Sequence, residues 1–91
     1  MRLEWTIKAI GDLREAGDYI ASDNPTAANK MADRVKEAVE YLIMHPNIGR
    51  PGRLHNTREL VASGTPFIIV YWVRGDAVQI LRVLHHSRKR P

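Results

Sequence analysis

The side chains best suited to chemistry are histidines and arginines, most of which lie in the second half of the chain. His85 and His86 are adjacent near its end, while His45 and His55 lie in or beside a segment rich in Gly and Pro. RNA cleavage by attack of the 2′-hydroxyl needs a general base, a general acid and cations that stabilise the phosphorane charge. Histidine and arginine can supply these roles. A centre of this kind would draw on His85, His86, Arg58 and Arg82.

The spacing of the histidines argues against a catalytic or metal centre. Neighbouring residues of a strand point to opposite faces, so we expect only one of His85 and His86 to face a common site. The same alternation makes them a poor metal pair, and no second set of ligands accompanies them. The chain has no cysteine, which excludes a disulfide framework and a thiolate metal site. We therefore predict no metal, no other cofactor and no assembled catalytic set, with the nuclease kept as an alternative.

Charge is divided unevenly along the chain. Residues 1–49 carry six Lys/Arg against eight Asp/Glu, whereas residues 50–91 carry eight Lys/Arg against only two acids, Glu59 and Asp76. Such an asymmetry indicates that the second half meets an anion, either nucleic acid or an acidic protein surface. A merely solvated basic tail is the other interpretation that the charges allow.

Length and composition limit the class of protein. The 91 residues fit one domain, 1–91, and a content of 44% apolar and 26% charged residues is typical of a globular protein. No apolar run approaches the ~20 residues that span a bilayer, and the first residues do not resemble a signal peptide. We expect a cytoplasmic protein that is not inserted in a membrane.

Two helices are predicted in the first half. Thr6 can cap a helix over residues 7–22, and Asn24 with Pro25 can start a second helix that runs to about Met44. His45 and Pro46 stop it. Because only a few residues join the helices, they should form an antiparallel hairpin. The apolar stripe of the first helix is expected to comprise Ile7, Ile10, Leu13, Gly17 and Ile20.

Strands account for most of the remainder. Residues 2–5 alternate polar and apolar, residues 45–57 read as an irregular loop, and β-branched or aromatic runs follow at 58–61, 67–73 and 77–84. Strands joined by such short turns must pair antiparallel. The order β-α-α-β-β-β predicts an α+β fold, a short antiparallel sheet packed on a helical hairpin.

Several stretches, in order and at compatible spacing, carry a family resemblance over nearly the whole chain. They are Trp5-Thr6, residues 9–13, Tyr19-Ile20, Asn24-Pro25 with Ala27-Ala28, Pro46 with Gly49-Arg50, residues 58–61, residues 66–71, and residues 80–85 with Arg88. Together they resemble the ParE branch of the ParE/RelE superfamily of bacterial toxins. The tail departs from that pattern because His86 stands where a small residue often follows the histidine.

The resemblance implies partners and an activity. It implies a cognate antitoxin of the ParD kind, whose disordered C-terminal segment folds on the toxin, and a hetero-oligomer with it; alone, the toxin is expected to self-associate. It also implies inhibition of DNA gyrase through its A subunit, by binding rather than by bond cleavage. The expected antitoxin anchors are Trp5, Tyr19 and Tyr41. The expected target-binding residues are Arg58, Arg82, His85, His86, Arg88, Lys89 and Arg90.

Two other functions stay open at this point. One is the RelE-like activity, ribosome-dependent cleavage of messenger RNA by the histidine and arginine set named above. The other is a non-toxic nucleic-acid-binding module, supported by the basic second half. Against it, the strands lack the surface aromatics of an RNA-binding sheet, since Phe67, Tyr71 and Trp72 are expected in the core.

Overall fold

The computed structural model describes residues 1–88 and contains two helices and a five-stranded sheet. Lys89 and Arg90, two of the expected target-binding residues, lie outside the described residues. The elements in chain order are β1 (Arg2–Trp5), α1 (Ile7–Ala21), α2 (Pro25–Met44), β2 (Arg50–Pro51), β3 (Arg58–Val61), β4 (Phe67–Arg74), β5 (Ala77–His85) and a final 3₁₀ helix (His86–Arg88).

The helices begin where the capping residues predict. The Thr6 side chain accepts a hydrogen bond from the Ala9 amide at 3.1 Å, and Asn24 Oδ1 accepts one from the Ala27 amide at 3.1 Å. Each bond satisfies a first-turn amide that has no partner within its helix. Pro25 occupies the first turn of α2, where its missing N–H removes no hydrogen bond. The predicted helical hairpin is confirmed.

The sheet has the strand order β1-β5-β4-β3-β2. The strands β3, β4 and β5, which short turns join, pair antiparallel as predicted. β2 also pairs antiparallel, with β3. β1 instead pairs parallel with β5, Leu3 opposite Val78 and Trp5 opposite Ile80. The rest of the domain connects these two strands, and a connection of that length permits parallel pairing. Part of the segment expected to be an irregular loop also joins the sheet, as β2.

One residue of β5 has no partner in β4. Tyr71 pairs with Ile80 and Val70 with Arg82, so Leu81 is the extra residue of a β-bulge. The bulge shifts the alternation of the strand, so that Val78 and Ile80 on one side of it and Val83 on the other all reach the buried core.

The core lies between the sheet and the helical hairpin. Ala9 is fully buried, and Leu13, Ala16 and Ile20 pack beside it, which makes these four residues the core-facing stripe of α1. Ile7 is 90% exposed and Ile10 45% exposed. Their expected place on the apolar stripe is wrong, because the stripe that contains Ala9 faces the sheet.

Neither α1 nor α2, the helices within residues 1–88, combines the length and the apolarity needed to cross a bilayer.

Candidate functional site

Arg82 is bound to the first helix. Its Nε and one Nη donate to the two carboxylate oxygens of Asp12 at 2.7 and 3.0 Å, and the Val83 amide donates to the same carboxylate at 3.0 Å. The hydrogen bond to Asp12 raises the pKa of Arg82 above its ordinary value, against a smaller lowering by burial. Two of the five N–H donors of this guanidinium are therefore engaged inside the domain.

The start of α1 covers an edge of the sheet that would otherwise be open. β1 ends at Trp5, opposite Ile80, so it leaves the outer edge of β5 unpaired from there onwards. The Thr6 amide donates to Ile80 O at 3.1 Å, and its hydroxyl donates to the same oxygen at 2.9 Å. Further along the edge, the Asp12 carboxylate accepts a hydrogen bond from the Val83 amide. Because β1 is short, this edge of β5 is satisfied by Thr6, which caps α1, and by Asp12 on α1.

Arg58 fastens the segment that follows α2. Its Nη1 donates to Asn47 O at 3.2 Å and Gly49 O at 2.7 Å. From β4, the hydroxyl of the buried Tyr71 accepts from the Gly49 amide at 2.9 Å and donates to Pro46 O at 2.8 Å. A Cβ on residue 49 would lie 2.6 Å from that hydroxyl, so the close approach requires glycine. Arg58 therefore has a structural role in this loop.

His85 and His86 lie side by side. Their rings stack at 4.8 Å between centroids, and the His85 and Phe67 rings meet edge to face at 5.5 Å between centroids. His85 Nδ1 accepts from the Ser87 amide at 3.2 Å and lies 2.8 Å from the Ser87 hydroxyl. The expectation that the two histidines point to opposite faces is wrong, because β5 ends at His85 and His86 begins the 3₁₀ helix.

The residues proposed for a nuclease centre do not converge. Arg58 pairs with Tyr71 on β4, whereas His85 pairs with Phe67, four residues away along the same strand. That separation is about 13 Å at the usual rise of a strand. Arg82 lies between them along the sheet but is held by Asp12. To contact a phosphate placed at the histidines, Arg58 would have to leave the Asn47 and Gly49 carbonyls.

The expected antitoxin anchors lie on separate surfaces. Tyr19 is 81% exposed on α1, and Tyr41, about half exposed, stacks on His45 at 4.5 Å. Trp5 is partly buried against the core. Trp5 alone of the three lines an apolar groove, of about 390 Å³, whose other lining residues are Leu3, Leu13, Ala32, Val35, Lys36, Val39 and Glu40.

The groove runs along a free edge of the sheet. The Arg2 amide donates to Asp76 O, just before β5, at 2.7 Å, and the Thr6 amide donates to Ile80 O at 3.1 Å. By the alternation of a strand, the backbone groups of Leu3 and Trp5 therefore point away from β5, towards the side that has no neighbouring strand. Backbone hydrogen-bonding groups and an apolar groove thus lie together. Sequence reasoning named Trp5 as an anchor near a sheet edge but missed the groove around it, because the edge position of β1 depends on its pairing with a strand at the other end of the chain.

A polar chain covers the sheet face that looks away from the helices. The Trp72 indole N–H donates to Gln79, whose amide donates to Glu4 at 2.6 Å. The hydrogen bond from Gln79, followed by that from Arg2, lowers the pKa of Glu4. The guanidinium of Arg74 lies 3.7 Å above the Trp72 ring. Trp72 was expected in the buried core. It lies outside the core, because the neighbouring Tyr71 faces inward and adjacent strand residues point to opposite faces.

Within residues 1–88, no group of three or more His, Asp or Glu side chains is arranged to hold a metal ion. The arrangement offers binding surfaces: a stacked histidine pair at the end of β5, a groove beside β1, and arginines that fix the backbone between them.

Comparisons with known proteins identify the class. A chain of a chromosomal ParDE TA system from P. aeruginosa has the same fold, with a TM-score of 0.82, 33% sequence identity, and coverage of 93% of this chain and 95% of that one. Residues 3–90 match the family model of the ParE toxin of the type II toxin-antitoxin system parDE. The protein belongs to the ParE toxin family of type II toxin–antitoxin systems.

Relatives in two bacteria carry toxin names as well. "Putative toxin Y4kP" of Sinorhizobium fredii (strain NBRC 101917 / NGR234) is 43% identical over 90 residues, covering 99% of this chain and 93% of the relative. "Toxin RelE2" of Caulobacter vibrioides (strain ATCC 19089 / CIP 103742 / CB 15) is 39% identical over 84 residues, covering 92% and 93%. Both relatives are thus named as toxins, and one of them carries a RelE name.

Proposed function

We propose that this toxin arrests bacterial growth by binding DNA gyrase, through its A subunit, and trapping complexes in which the DNA is cleaved. The observation that carries the proposal is the separation of the side chains that RNA cleavage would need. Arg58 and Arg82 are engaged by backbone carbonyls and by Asp12, and Arg58 lies about four strand residues from the histidine pair. Binding requires no such convergence. The parDE family match supports the same choice.

The target contact is best assigned to side chains that remain free to bind. Of the expected set, His86 is exposed and stacked on His85 at the end of β5. We extend the contact from there into the basic tail, Arg88, Lys89 and Arg90. Arg58 and Arg82 contribute by fixing the backbone on which that surface stands.

Neutralisation is assigned to an antitoxin of the ParD kind that occupies the groove beside β1. A segment that is disordered when free gains apolar burial against Leu3, Trp5 and Val35, and main-chain hydrogen bonds to the free edge. Trp5 is the expected hot spot, since buried aromatic anchors dominate interface energies. The complex is a hetero-oligomer.

The antitoxin assignment has a direct test. Replacing Trp5 with Ala should weaken antitoxin binding by tenfold or more, while growth arrest in cells without antitoxin persists. Tyr41→Ala is the matched control, an exposed aromatic on α2 outside the groove, and should change the affinity little. Equal losses for both variants, or none for Trp5→Ala, would exclude the groove.

The target is tested by inducing the toxin in cells that lack the antitoxin. A DNA-damage response and filamentation with intact messenger RNA are expected, and purified toxin with gyrase should yield linearised plasmid after the protein is denatured. A chain truncated after His85 should lose both effects and still bind the antitoxin. Full toxicity of the truncated chain would exclude the tail.

The second candidate is the RelE-like cleavage of messenger RNA on the ribosome. It is favoured by the stacked pair of His85 and His86 and by the RelE names of two relatives. Rapid cleavage of messages after induction, abolished by His85→Ala or His86→Ala, would establish it in place of gyrase inhibition.

A further inference from the structure

The hairpin that joins β2 to β3 ends in a loop of fixed shape, residues 52–57. The Gly52 amide donates to Thr57 O at 2.8 Å, and the Thr57 amide and hydroxyl donate to Leu54 O at 3.1 and 2.6 Å. Thr57 is 5% exposed. Asn56 has a φ of 65°, in the left-handed region that asparagine tolerates better than most residues. The loop is thus closed by its own hydrogen bonds.

Gly52 is a tight point of this closure. A Cβ at that position would lie 2.3 Å from the Thr57 hydroxyl oxygen and 3.3 Å from the Thr57 backbone. Only glycine allows the two ends of the loop to approach so closely. A loop that is already ordered loses little conformational entropy when it binds a partner, so its shape favours recognition.

The tip of the loop presents a basic and apolar surface. Arg53 and His55 are exposed, and Leu54 between them is 66% exposed. Residues 41–58 contain no Asp or Glu, and Glu59 is already paired with Arg50 at 3.4 Å. The positive charge of the tip is therefore not neutralised by acids of the same segment.

We propose that loop 52–57 is a docking element for an acidic protein surface, with Leu54 entering an apolar pocket and Arg53 pairing with carboxylates at its rim. The exposed Leu54 favours an acidic protein over a nucleic acid as the partner. Nucleic-acid binding rests mainly on contacts to phosphates, whereas protein interfaces combine an apolar centre with a charged rim, which is the arrangement of Leu54 between Arg53 and His55. The inference rests on the proposed function, since the target named there is a protein.

The loop lies far from the antitoxin groove. β1 and β2 form the two opposite edges of the sheet, four strand spacings apart, which is about 19 Å. A partner on the hairpin and a segment in the groove therefore need not compete. Changes in the loop should alter target binding and leave antitoxin binding intact.

The experiment compares two loop variants with two matched controls. Leu54→Ala removes the exposed leucine, and Arg53→Glu reverses the charge. Ile7→Ala truncates an aliphatic residue that is 90% exposed on α1, and Lys30→Glu makes the same charge change on an exposed position of α2. Circular dichroism and co-purification with the antitoxin verify that all four variants fold. Growth arrest is scored in cells, and affinity is measured with purified gyrase A subunit.

Leu54→Ala and Arg53→Glu should each weaken binding to the A subunit by tenfold or more and relieve growth arrest, whereas both controls act as the native chain. The loss for Arg53→Glu should shrink at high salt, because its charge steers association. Native toxicity and affinity in both loop variants would overturn the proposal. The proposal would also be overturned if the native chain bound DNA, Arg53→Glu abolished that binding and Leu54→Ala left it unchanged. Such a result would identify the partner of the loop as a nucleic acid.

Failure of the loop and failure of the gyrase target give different results. If the native chain arrests growth without binding the A subunit, the gyrase target is wrong. The loop is then judged by growth arrest alone: relief by both loop variants supports it, and undiminished arrest overturns it. If the native chain neither arrests growth nor binds the subunit, both proposals fall.

Discussion

Replacing Tyr71 with Phe tests how the loop after α2 is held. Tyr71 is fully buried, and its hydroxyl makes two hydrogen bonds, one from the Gly49 amide at 2.9 Å and one to Pro46 O at 2.8 Å. The phenyl ring keeps the apolar packing, so the variant removes these two bonds and little else. Both backbone groups then lose their partner inside the domain.

The expected loss can be estimated from those two bonds. A hydrogen bond between neutral groups contributes about 0.5–1.5 kcal/mol net, and an orphaned buried group costs about 1–3 kcal/mol. For one buried amide and one partly buried carbonyl, we expect the free energy of unfolding to fall by about 2 kcal/mol. In a domain of this size, that lowers Tm by roughly 8–16 °C, since 1 kcal/mol corresponds to about 4–8 °C.

The measurement is urea denaturation followed by circular dichroism, with amide hydrogen exchange at Gly49 as a local readout. Tyr41→Phe is the control, because that side chain is half-exposed and should change stability by less than about 0.5 kcal/mol. If Tyr71→Phe unfolds within 0.5 kcal/mol of the native chain and the Gly49 amide stays protected, the hydroxyl does not hold the loop.

Three further outcomes are expected. Asp12→Ala leaves the Val83 amide and a half-buried guanidinium without their carboxylate, and should lower the free energy of unfolding by about 1–3 kcal/mol in urea titrations; a change under 0.5 would show that the edge of β5 is satisfied otherwise. Gly52→Ala should lower the free energy of unfolding by about 1–3 kcal/mol, because its Cβ would meet a threonine hydroxyl. Gly11→Ala, whose Cβ meets no atom within 4 Å on a helix, should raise it by about 0.5–1 kcal/mol. Thermal melts in which both variants shift Tm in the same direction would contradict the geometry. Burial raises the pKa of Tyr71, so the unfolded chain releases this proton first as pH rises, and stability should fall above about pH 10; a Tyr71→Phe variant that shows the same alkaline loss would assign it to other groups.

Local signals in the sequence were enough to predict the elements. Thr6, the Asn24-Pro25 pair and the His45-Pro46 pair each act on the few residues beside them, and they fixed the helix ends to within one residue. The β-branched run of β4 and the Gly75 turn predicted the hairpin to β5 for the same reason. A capping or turn residue needs no distant partner, so its effect can be read from its neighbours.

Features that depend on distant partners were not predicted. Asp12 and Arg82 are 70 residues apart, and neither residue type indicates that the two are bonded. The site residues were named as free binding groups for that reason, although Arg58 and Arg82 prove to be engaged. The stacking of His85 and His86 depends on where β5 ends, and a strand boundary is among the weakest inferences from sequence.

The parallel pairing of β1 with β5 has a consequence for synthesis of the protein. Leu3 can pair only when Val78 is present, and the carbonyls that accept hydrogen bonds from the Arg2 and Thr6 amides belong to Asp76 and Ile80. Chains are made from the N-terminus, so β1 stays unpaired on the ribosome until these residues have emerged, and contacts of such sequence separation form slowly. The nascent chain therefore cannot complete its sheet ahead of its last strand.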